Sequence, residues 1–216
     1  MKSMLVIGMG SFGRHLASKL ASLRNEVMIV DKDEKLIEEL APNFTDAQIC
    51  DCTNENALRS LGVTNFDICF VTIGENFQSS LEITSLLHEM GAKYIISKAS
   101  SKIQQKFLLR NGANEAIYPE HQVAHRLAMR CSAKNVFDYV ELTPEFGIFE
   151  IPIKPQWIGH DILSLNIRSK FNVNILAIKN AGNVQPLPSP EYRFKPDDHI
   201  VLLGKPNDVY KLSERI

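Results

Sequence analysis

The first half of the chain alternates between two apolar patterns, and this alternation constrains the fold more than any other feature. Short runs rich in β-branched and aromatic residues predict six strands: Met4–Ile7, Val27–Val30, Ala47–Cys50, Ile68–Thr72, Tyr94–Ser97 and Glu115–Tyr118. Segments with helical spacing predict five intervening helices: Phe12–Leu23, Lys35–Leu40, Glu55–Leu61, Phe77–Met90 and Ile103–Leu109. Asp33 and Asn54 are expected to cap helices, and Gly91 and Gly112 to end them. We therefore expect an α/β fold with a Rossmann-type doubly wound parallel sheet.

The pattern changes after Pro119. Apolar residues at three- and four-residue steps predict one amphipathic helix from Glu120 to Ala133. The rest is rich in strand formers and proline, and Gly182-Asn183 predicts a hairpin turn between Ile175–Lys179 and Val184–Leu187. We expect a Rossmann-like domain at 1–118, a crossover and dimerisation helix at 119–135, and a small α+β C-terminal lobe at 136–216.

Composition narrows the classes of partner. The 216 residues carry a formal net charge of −1, which disfavours nucleic acid as the main partner. No apolar run approaches the roughly 18–20 residues that span a membrane, so we expect no direct membrane insertion. The start runs straight into a strand, which leaves no room for a signal peptide. Apolar neighbours of Cys50 and Cys69 favour core positions in a reducing compartment, and we expect a cytoplasmic protein.

The strongest local signal is Gly8-Met9-Gly10-Ser11-Phe12-Gly13, which lies between a predicted strand and a predicted helix. Such a loop lets the backbone approach a diphosphate, and the helix N-terminus favours the phosphate charge. Asp31 ends the next strand, where it is placed to bind the ribose hydroxyls of an adenine nucleotide and to repel a 2′-phosphate. The pattern predicts a dinucleotide- or nucleotide-binding site.

Other polar residues are candidates with two interpretations each. Arg14 is a phosphate contact or a solvated arginine, and Asp51 binds the adenine amino group, caps a helix, or does both. Ile73 and Gly74 end the fourth strand at the ligand-binding edge of the sheet. The remaining candidates either face a ligand or have only local roles: Asn76, Gln78, Lys98 and Glu120.

Two observations bear on catalysis. His121 and His125 are four residues apart, but without an evident third ligand they favour solvated helix positions over a metal site. The C-terminal portion offers no recognisable acid–base cluster, which favours a nucleotide that is sensed rather than consumed. The alternative is a small NAD-dependent oxidoreductase, completed by dimerisation.

At this level of detail the chain resembles the RCK-domain proteins, in particular the cytosolic subunits of Ktr/Trk-type potassium transporters. The resemblance spans essentially the whole chain and is carried by these segments: Gly8–Arg14, Asp51-Cys52-Thr53, Val71–Asn76, Gly112-Ala113-Asn114, Tyr118-Pro119-Glu120, Asn166-Ile167-Arg168 and Asn174–Lys179. It implies a gating subunit that is not an enzyme and that assembles as dimers in an octameric ring. Its implied partner is a membrane potassium channel subunit of the KtrB or TrkH type.

The resemblance also implies ligands. ATP, ADP and in some members NAD(H) bind the N-terminal lobe, and Glu120 helps to hold a divalent cation, Mg or Ca, at the dimer interface. The implied nucleotide site comprises Gly8, Gly10, Ser11, Phe12, Gly13, Arg14, Asp31, Lys32, Asp51, Cys52, Ile73, Gly74, Asn76, Gln78, Lys98 and Glu120. Cyclic di-AMP is implied across a two-fold axis of the C-terminal lobe, at Ile167, Arg168, Asn174, Ile175 and Pro190. Many members have Gly-Asp-Ala where this chain has Cys50-Asp51-Cys52, which leaves the nucleotide preference open and adds a hypothesis of redox sensitivity at Cys52.

Overall fold

A computed structural model of the chain describes residues 1–132 and 135–213. The backbone divides into two compact units, Met1–Glu120 and His121–Ile216. Among the described residues, no helix is both long and apolar enough to cross a membrane.

The first unit contains a six-stranded parallel sheet. Its strands are β1 (Ser3–Ile7), β2 (Glu26–Asp31), β3 (Asp46–Ile49), β4 (Ile68–Val71), β5 (Ile95–Lys98) and β6 (Glu115–Ile117). The spatial order of the strands is β3-β2-β1-β4-β5-β6. The chain adds strands on one side of β1 up to β3 and then on the other side from β4 to β6, which is the doubly wound arrangement. The predicted Rossmann-type fold is confirmed, and no strand end differs from prediction by more than one residue.

Helices cover both faces of this sheet. They are α1 (Ser11–Ser22), α2 (Glu34–Leu40), α3 (Glu55–Ser60), α4 (Phe77–Glu89) and α5 (Lys102–Arg110). Two apolar clusters result, one around Leu5, Val71 and Leu87 and the other around Val6 and Ile29. Alternate residues of β1 thus point to opposite faces, and both faces are buried, which explains the continuous apolar strands.

The residues that were expected to cap or end the helices of this unit do so. Asp33 accepts a hydrogen bond from the N–H of Leu36, and Asn54 accepts from the first turn of α3. Gly91 and Gly112 follow α4 and α5 with φ of 80° and 103°, values that glycine adopts without steric cost.

Helix α6 (Pro119–Ser132) follows β6. The predicted end of this helix, Ala133, lies outside the described residues. Most of its residues are exposed, among them Val123 (66% exposed) and Leu127 (47% exposed).

The second unit contains an antiparallel sheet. In the described residues its strands are β7 (Asp138–Glu141), β8 (Gly147–Pro152), β9 (Asn174–Asn180), β10 (Asn183–Pro186) and β11 (His199–Gly204), in the order β10-β9-β11-β8-β7. Three helices pack with it: α7 (Ile162–Leu165), α8 (Ile167–Phe171) and α9 (Pro206–Ser213). Phe149, Trp157 and Phe194 are buried in its core. The predicted α+β lobe and the β9–β10 hairpin are confirmed, and residues 214–216 of the predicted lobe lie outside the described residues.

Candidate functional site

A cavity of about 710 Å³ lies at the carboxyl edge of the parallel sheet, near the ends of β1 and β4, between which the strand order switches. Its volume falls within the roughly 300–1,000 Å³ of small-molecule sites. Most residues of the predicted nucleotide site line it: Gly8, Gly10, Ser11, Phe12, Asp31, Lys32, Asp51, Cys52, Ile73, Gly74, Asn76, Lys98 and Glu120. The sheet topology therefore gathers residues that are up to 112 positions apart in the sequence, from Gly8 to Glu120.

The glycine loop packs too tightly for side chains at two positions. Gly8 has a φ of +99°, and a Cβ on Gly13 would overlap the carbonyl oxygen of Gly8 and lie 2.6 Å from the Thr72 hydroxyl. That hydroxyl is buried and donates to the same Gly8 carbonyl, at 2.6 Å. Thr72 therefore holds the loop against β4, and α1 begins close to the sheet.

Helix α1 presents uncapped N–H groups to the cavity. Gly10 is its N-cap residue, and within residues 1–120, all of which are described, no side chain caps this end. Free N–H groups and the helix dipole together favour an anion. Gly10 has no atom within 4 Å of where a Cβ would lie, so a ligand phosphate has room to approach the backbone.

Asp31 is oriented by the backbone. Its Oδ2 accepts a hydrogen bond from the N–H of Met9 at 2.6 Å, and its Oδ1 accepts from the N–H of Asp33 at 3.0 Å. Each carboxylate oxygen has a second lone pair, so both can still accept from ribose hydroxyls.

Asp51 lies in the turn after β3. Its Oδ1 accepts from the Thr53 hydroxyl at 2.7 Å and from the Thr53 N–H at 3.0 Å. These two hydrogen bonds, with the positive charge of Lys32, keep the pKa of Asp51 below its usual range. Asp51 therefore caps the turn that leads into α3, as predicted, and Asn54 makes the capping hydrogen bonds of α3 itself. Oδ2 of Asp51 is the oxygen available to a base amino group.

An ion pair between Lys98 and Glu120 lies at the end of the cavity opposite Asp51. Nζ of Lys98 is 2.6 Å from Oε1 of Glu120, and the hydrogen bond lowers the pKa of Glu120. The Lys98 side chain is 11% exposed, and its ammonium group lies 5.9 Å from the centre of the Phe12 ring. Glu120 is 58% exposed, whereas Lys98 is largely buried, so an anionic ligand that displaced Glu120 would have to replace it as the counter-ion of Lys98.

Three predicted residues do not line the cavity. Gly13 faces the Gly8 carbonyl, Arg14 is exposed on α1, and Gln78 donates a hydrogen bond to Glu82 at 2.8 Å. The residues that line the cavity but were not assigned to the site from the sequence include His15, Thr53, Glu75 and Ser79. His15 and Ser79 follow Ser11 and Asn76 by four and three residues, so helical spacing was a usable signal. Cys50, expected in the core, is half-buried and also lines the cavity.

The residues predicted to bind cyclic di-AMP belong to the second unit. Ile167 and Arg168 begin α8, Asn174 and Ile175 begin β9, and Pro190 lies between β10 and β11. Ile167 is buried in the core, whereas Arg168, Asn174 and Pro190 are exposed. The Pro190 carbonyl accepts a hydrogen bond from the N–H of Leu163, which ties this loop to α7.

The chain has two candidate positions for a metal ion, Glu120 and the pair His121 and His125. Among residues 1–132 and 135–213 there is no cluster of three or more His, Cys, Asp or Glu side chains that could hold a metal ion. His125 lies 3.2 Å from Glu141, and its ring stacks 6.3 Å from that of His121. Any cation near Glu120 would need further ligands from a nucleotide, water or a second copy of the chain.

The fold and the cavity together define a class: a protein with a Rossmann-type domain, which has a cavity at the carboxyl edge of its sheet, followed by a small α+β lobe. Sequence comparison narrows this class, because the TrkA-N domain model matches residues 4–119 and the TrkA-C domain model matches residues 147–216. The Ktr system potassium uptake protein C of Bacillus subtilis is 35% identical over 215 residues, which cover 100% of this chain and 97% of the relative. The Ktr system potassium uptake protein A of the same organism is 35% identical over 98% of this chain and 96% of its own. The chain therefore belongs to the TrkA-N/TrkA-C family that includes the Ktr potassium uptake proteins.

Solved structures agree on the fold. The RCK domain of GsuK matches with a TM-score of 0.70 at 17% identity, over 99% of this chain and 47% of that chain. The GsuK channel bound to NAD matches with a TM-score of 0.69 at 17% identity, over 99% of this chain and 39% of that one. This chain thus spans less than half of these channel proteins, and at such identity the likeness shows the fold alone.

Proposed function

We propose that this protein is a nucleotide-regulated gating subunit of a potassium uptake system and not an enzyme. The cavity at the carboxyl edge of the sheet carries the proposal, because the uncapped N-terminus of α1 and the side chains of Asp31 and Asp51 line it together. Two relatives are named as potassium uptake proteins, and this chain matches each of them over nearly its whole length. The two observations together support a regulatory role for the proposed nucleotide.

The proposed ligand of the cavity is ATP or ADP, with NAD(H) as a further candidate. Phosphates would bind the N–H groups of α1 and Lys98, the ribose would bind Asp31, and the adenine amino group would bind Asp51. Four carboxylates and two lysines line the cavity: Asp31, Asp51, Glu75, Glu120, Lys32 and Lys98. This excess of acids disfavours a bare triphosphate, so we propose that ATP binds with Mg or Ca, with Glu120 near the cation.

The proposed assembly is a homo-oligomeric ring of dimers, an octamer, on the cytoplasmic face of a membrane potassium channel subunit. Within each chain, residues 1–118 would form the nucleotide lobe, 119–135 the crossover helix and 136–216 the second lobe. Exposed Val123 and Leu127 on α6 support the pairing of subunits along this helix. Gating requires that the nucleotides bind two ring shapes with different affinity.

The second lobe is proposed to bind cyclic di-AMP between two subunits. Arg168 would contact a phosphate, Ile167 and Ile175 would supply apolar surface, and Asn174 and Pro190 would complete the site. The exposure of Arg168 and Asn174 supports this assignment, since a site shared across a two-fold axis must be open in a single chain.

The test is thermal unfolding with ATP, ADP, NADH, NADPH or cyclic di-AMP, each alone and with Mg or Ca. A ligand at about 100 times its Kd adds about 2.7 kcal/mol, which raises Tm by several degrees. NADPH is the internal control, because Asp31 should repel its 2′-phosphate. Shifts with ATP or ADP, followed by nucleotide-dependent potassium flux in vesicles that contain the channel subunit, are expected. A shift with NADH alone, together with hydride transfer to a substrate, would instead support an NAD-dependent oxidoreductase.

A further inference from the structure

Two cysteines flank Asp51 in the turn that follows β3. The sulfur atoms of Cys50 and Cys52 lie 3.9 Å apart, and both residues line the nucleotide cavity. Cys50 is half-buried, whereas Cys52 is 3% exposed. The side chains therefore point the same way, and one is more accessible to solvent than the other.

We propose that Cys50 and Cys52 are a thiol-modification site, where a reversible disulfide weakens nucleotide binding. The oxidant would be a small-molecule disulfide of the glutathione type. This inference rests on the proposed function, since the cavity must bind a nucleotide for the disulfide to oppose it.

The exchange proceeds in two balanced steps. The Cys50 thiolate attacks one sulfur of the small disulfide, which forms a mixed disulfide and releases one small thiolate. The Cys52 thiolate then attacks the Cys50 sulfur and releases the second. In sum the two cysteines lose two protons and two electrons, and the small disulfide is reduced to two thiols. Burial raises the pKa of the Cys52 thiol, with Cys50 the next cause, which favours Cys50 as the first nucleophile.

Ring closure would change the binding site because of what lies between the cysteines. The sulfurs must approach from 3.9 Å to about 2.05 Å, within a ring that contains the whole backbone of Asp51. That movement would turn the Asp51 peptide groups and disturb the hydrogen bonds from Thr53. So small a ring is strained, and strained disulfides are readily reduced, as reversible regulation requires.

The other two cysteines differ from this pair. Cys69 is fully buried in the core beside the Val63 carbonyl, and Cys131 is exposed on α6. Neither lines the nucleotide cavity, and Cys69 serves as an internal control for position.

The experiment uses the full chain with Cys131→Ser, which prevents cross-linking between molecules. Protein is kept reduced or treated with glutathione disulfide, and peptide mass mapping follows. The tryptic peptide 36–59 contains Cys50 and Cys52 and no other cysteine, so loss of two hydrogens from it locates the disulfide. ADP binding is then measured calorimetrically before oxidation, after oxidation and after reduction with dithiothreitol.

We expect the disulfide in peptide 36–59 and a loss of about tenfold or more in ADP affinity, because a charge-assisted hydrogen bond of Asp51 is disturbed. Dithiothreitol should restore the affinity. The variant Cys50→Ser should form no disulfide in this peptide, and its ADP affinity should no longer respond to glutathione disulfide. The variant Cys52→Ala should stop at the mixed disulfide on Cys50, which peptide mass mapping detects as the added small thiol. Two variants are used so that one remains if the other folds poorly.

Three results would overturn the inference: no disulfide in the peptide, a disulfide that leaves ADP affinity unchanged, or an oxidative loss that persists in both variants. If the reduced protein binds no adenine nucleotide, the proposed function fails instead. The reduced sample thus separates the two failures.

Discussion

The carboxylate of Asp31 accepts a hydrogen bond from the backbone N–H of Met9, with 2.6 Å between oxygen and nitrogen. Met9 lies between the first two glycines of the loop, so this bond ties the end of β2 to the start of α1. The Asp33 N–H fixes the second oxygen. The carboxylate is therefore oriented without a ligand, which would reduce the entropy cost of binding the proposed nucleotide.

Asp31→Asn should weaken ADP and NADH binding by about tenfold or more, since it removes the charged acceptor for the ribose hydroxyls. Calorimetric titration measures the effect. Asp33→Asn is the matched control, because asparagine also caps α2 and Asp33 does not line the cavity. Equal losses in the two variants would contradict a ribose contact at Asp31.

Two glycines of the loop should separate stability from binding. Gly13→Ala should lower the free energy of unfolding by about 1–3 kcal/mol, because its Cβ would overlap the Gly8 carbonyl. Gly10→Ala should leave stability nearly unchanged, since its φ is −61° and its Cβ would meet open space. It should nevertheless reduce the ADP-induced rise in Tm if phosphates approach the backbone here. Thermal unfolding with and without ADP checks both, and full ADP binding by Gly10→Ala would exclude that approach.

Lys98 lies at the end of the cavity opposite Asp51. Lys98→Met should weaken the binding of ATP, because it removes the positively charged side chain from that end. The loss should shrink at high salt, where charge–charge attraction is screened. Lys93→Met serves as the control, since Lys93 pairs with Asp67 at 3.5 Å and does not line the cavity. Titrations with ATP at low and high ionic strength measure the effect. A salt-independent loss would indicate that Lys98 acts through packing against Phe12 instead.

Glu150 makes the stability of the second unit depend on pH. Burial raises its pKa, but hydrogen bonds from Lys179 at 2.7 Å and His199 at 2.8 Å outweigh burial, and the pKa is lowered. A lowered folded-state pKa gives stability that is present above the unfolded value, 4.5, and is lost as pH falls through the folded value. Glu150→Gln should therefore be less stable than the parent at pH 7 but nearly equal to it at low pH.

Denaturant unfolding from pH 7 down to pH 3 provides the measurement. Glu145→Gln is the control, because Glu145 is exposed in the turn between β7 and β8. A difference between parent and Glu150→Gln that does not change with pH would contradict the ionic origin of the effect.

Much of the first unit could be predicted because local sequence determines it. The apolar strands, the glycine loop and the caps at Asp33 and Asn54 depend on neighbours within a few residues. In a parallel sheet the carboxyl ends of the strands share one edge, which is why Asp31 and Asp51 were expected there. Lys98 and Glu120 were candidates from their positions after β5 and β6, and the family resemblance added a nucleotide contact for Lys98 and a cation contact for Glu120.

The remaining details depend on side-chain direction and long-range packing. Arg14 and His15 are adjacent, and a helix turns adjacent residues about 100° apart, so the pattern alone could not tell which one faces the cavity. The ion pair between Lys98 and Glu120 joins the end of β5 to the start of α6, and the hydrogen bonds of Asp51 depend on the local turn. Such contacts form only once the backbone is in place.

The proposed cyclic di-AMP site offers a test within one short helix. Arg168 and Lys170 are both exposed on α8, but only Arg168 is proposed to bind a phosphate. Arg168→Ala should reduce cyclic di-AMP affinity by about tenfold or more, since it removes a charge-assisted hydrogen bond, and Lys170→Ala should change it little. Calorimetric titration of both variants decides, and ADP binding in the first unit should be unaffected in each. Equal effects on cyclic di-AMP would point to the general positive charge of α8 and not to a specific arginine contact.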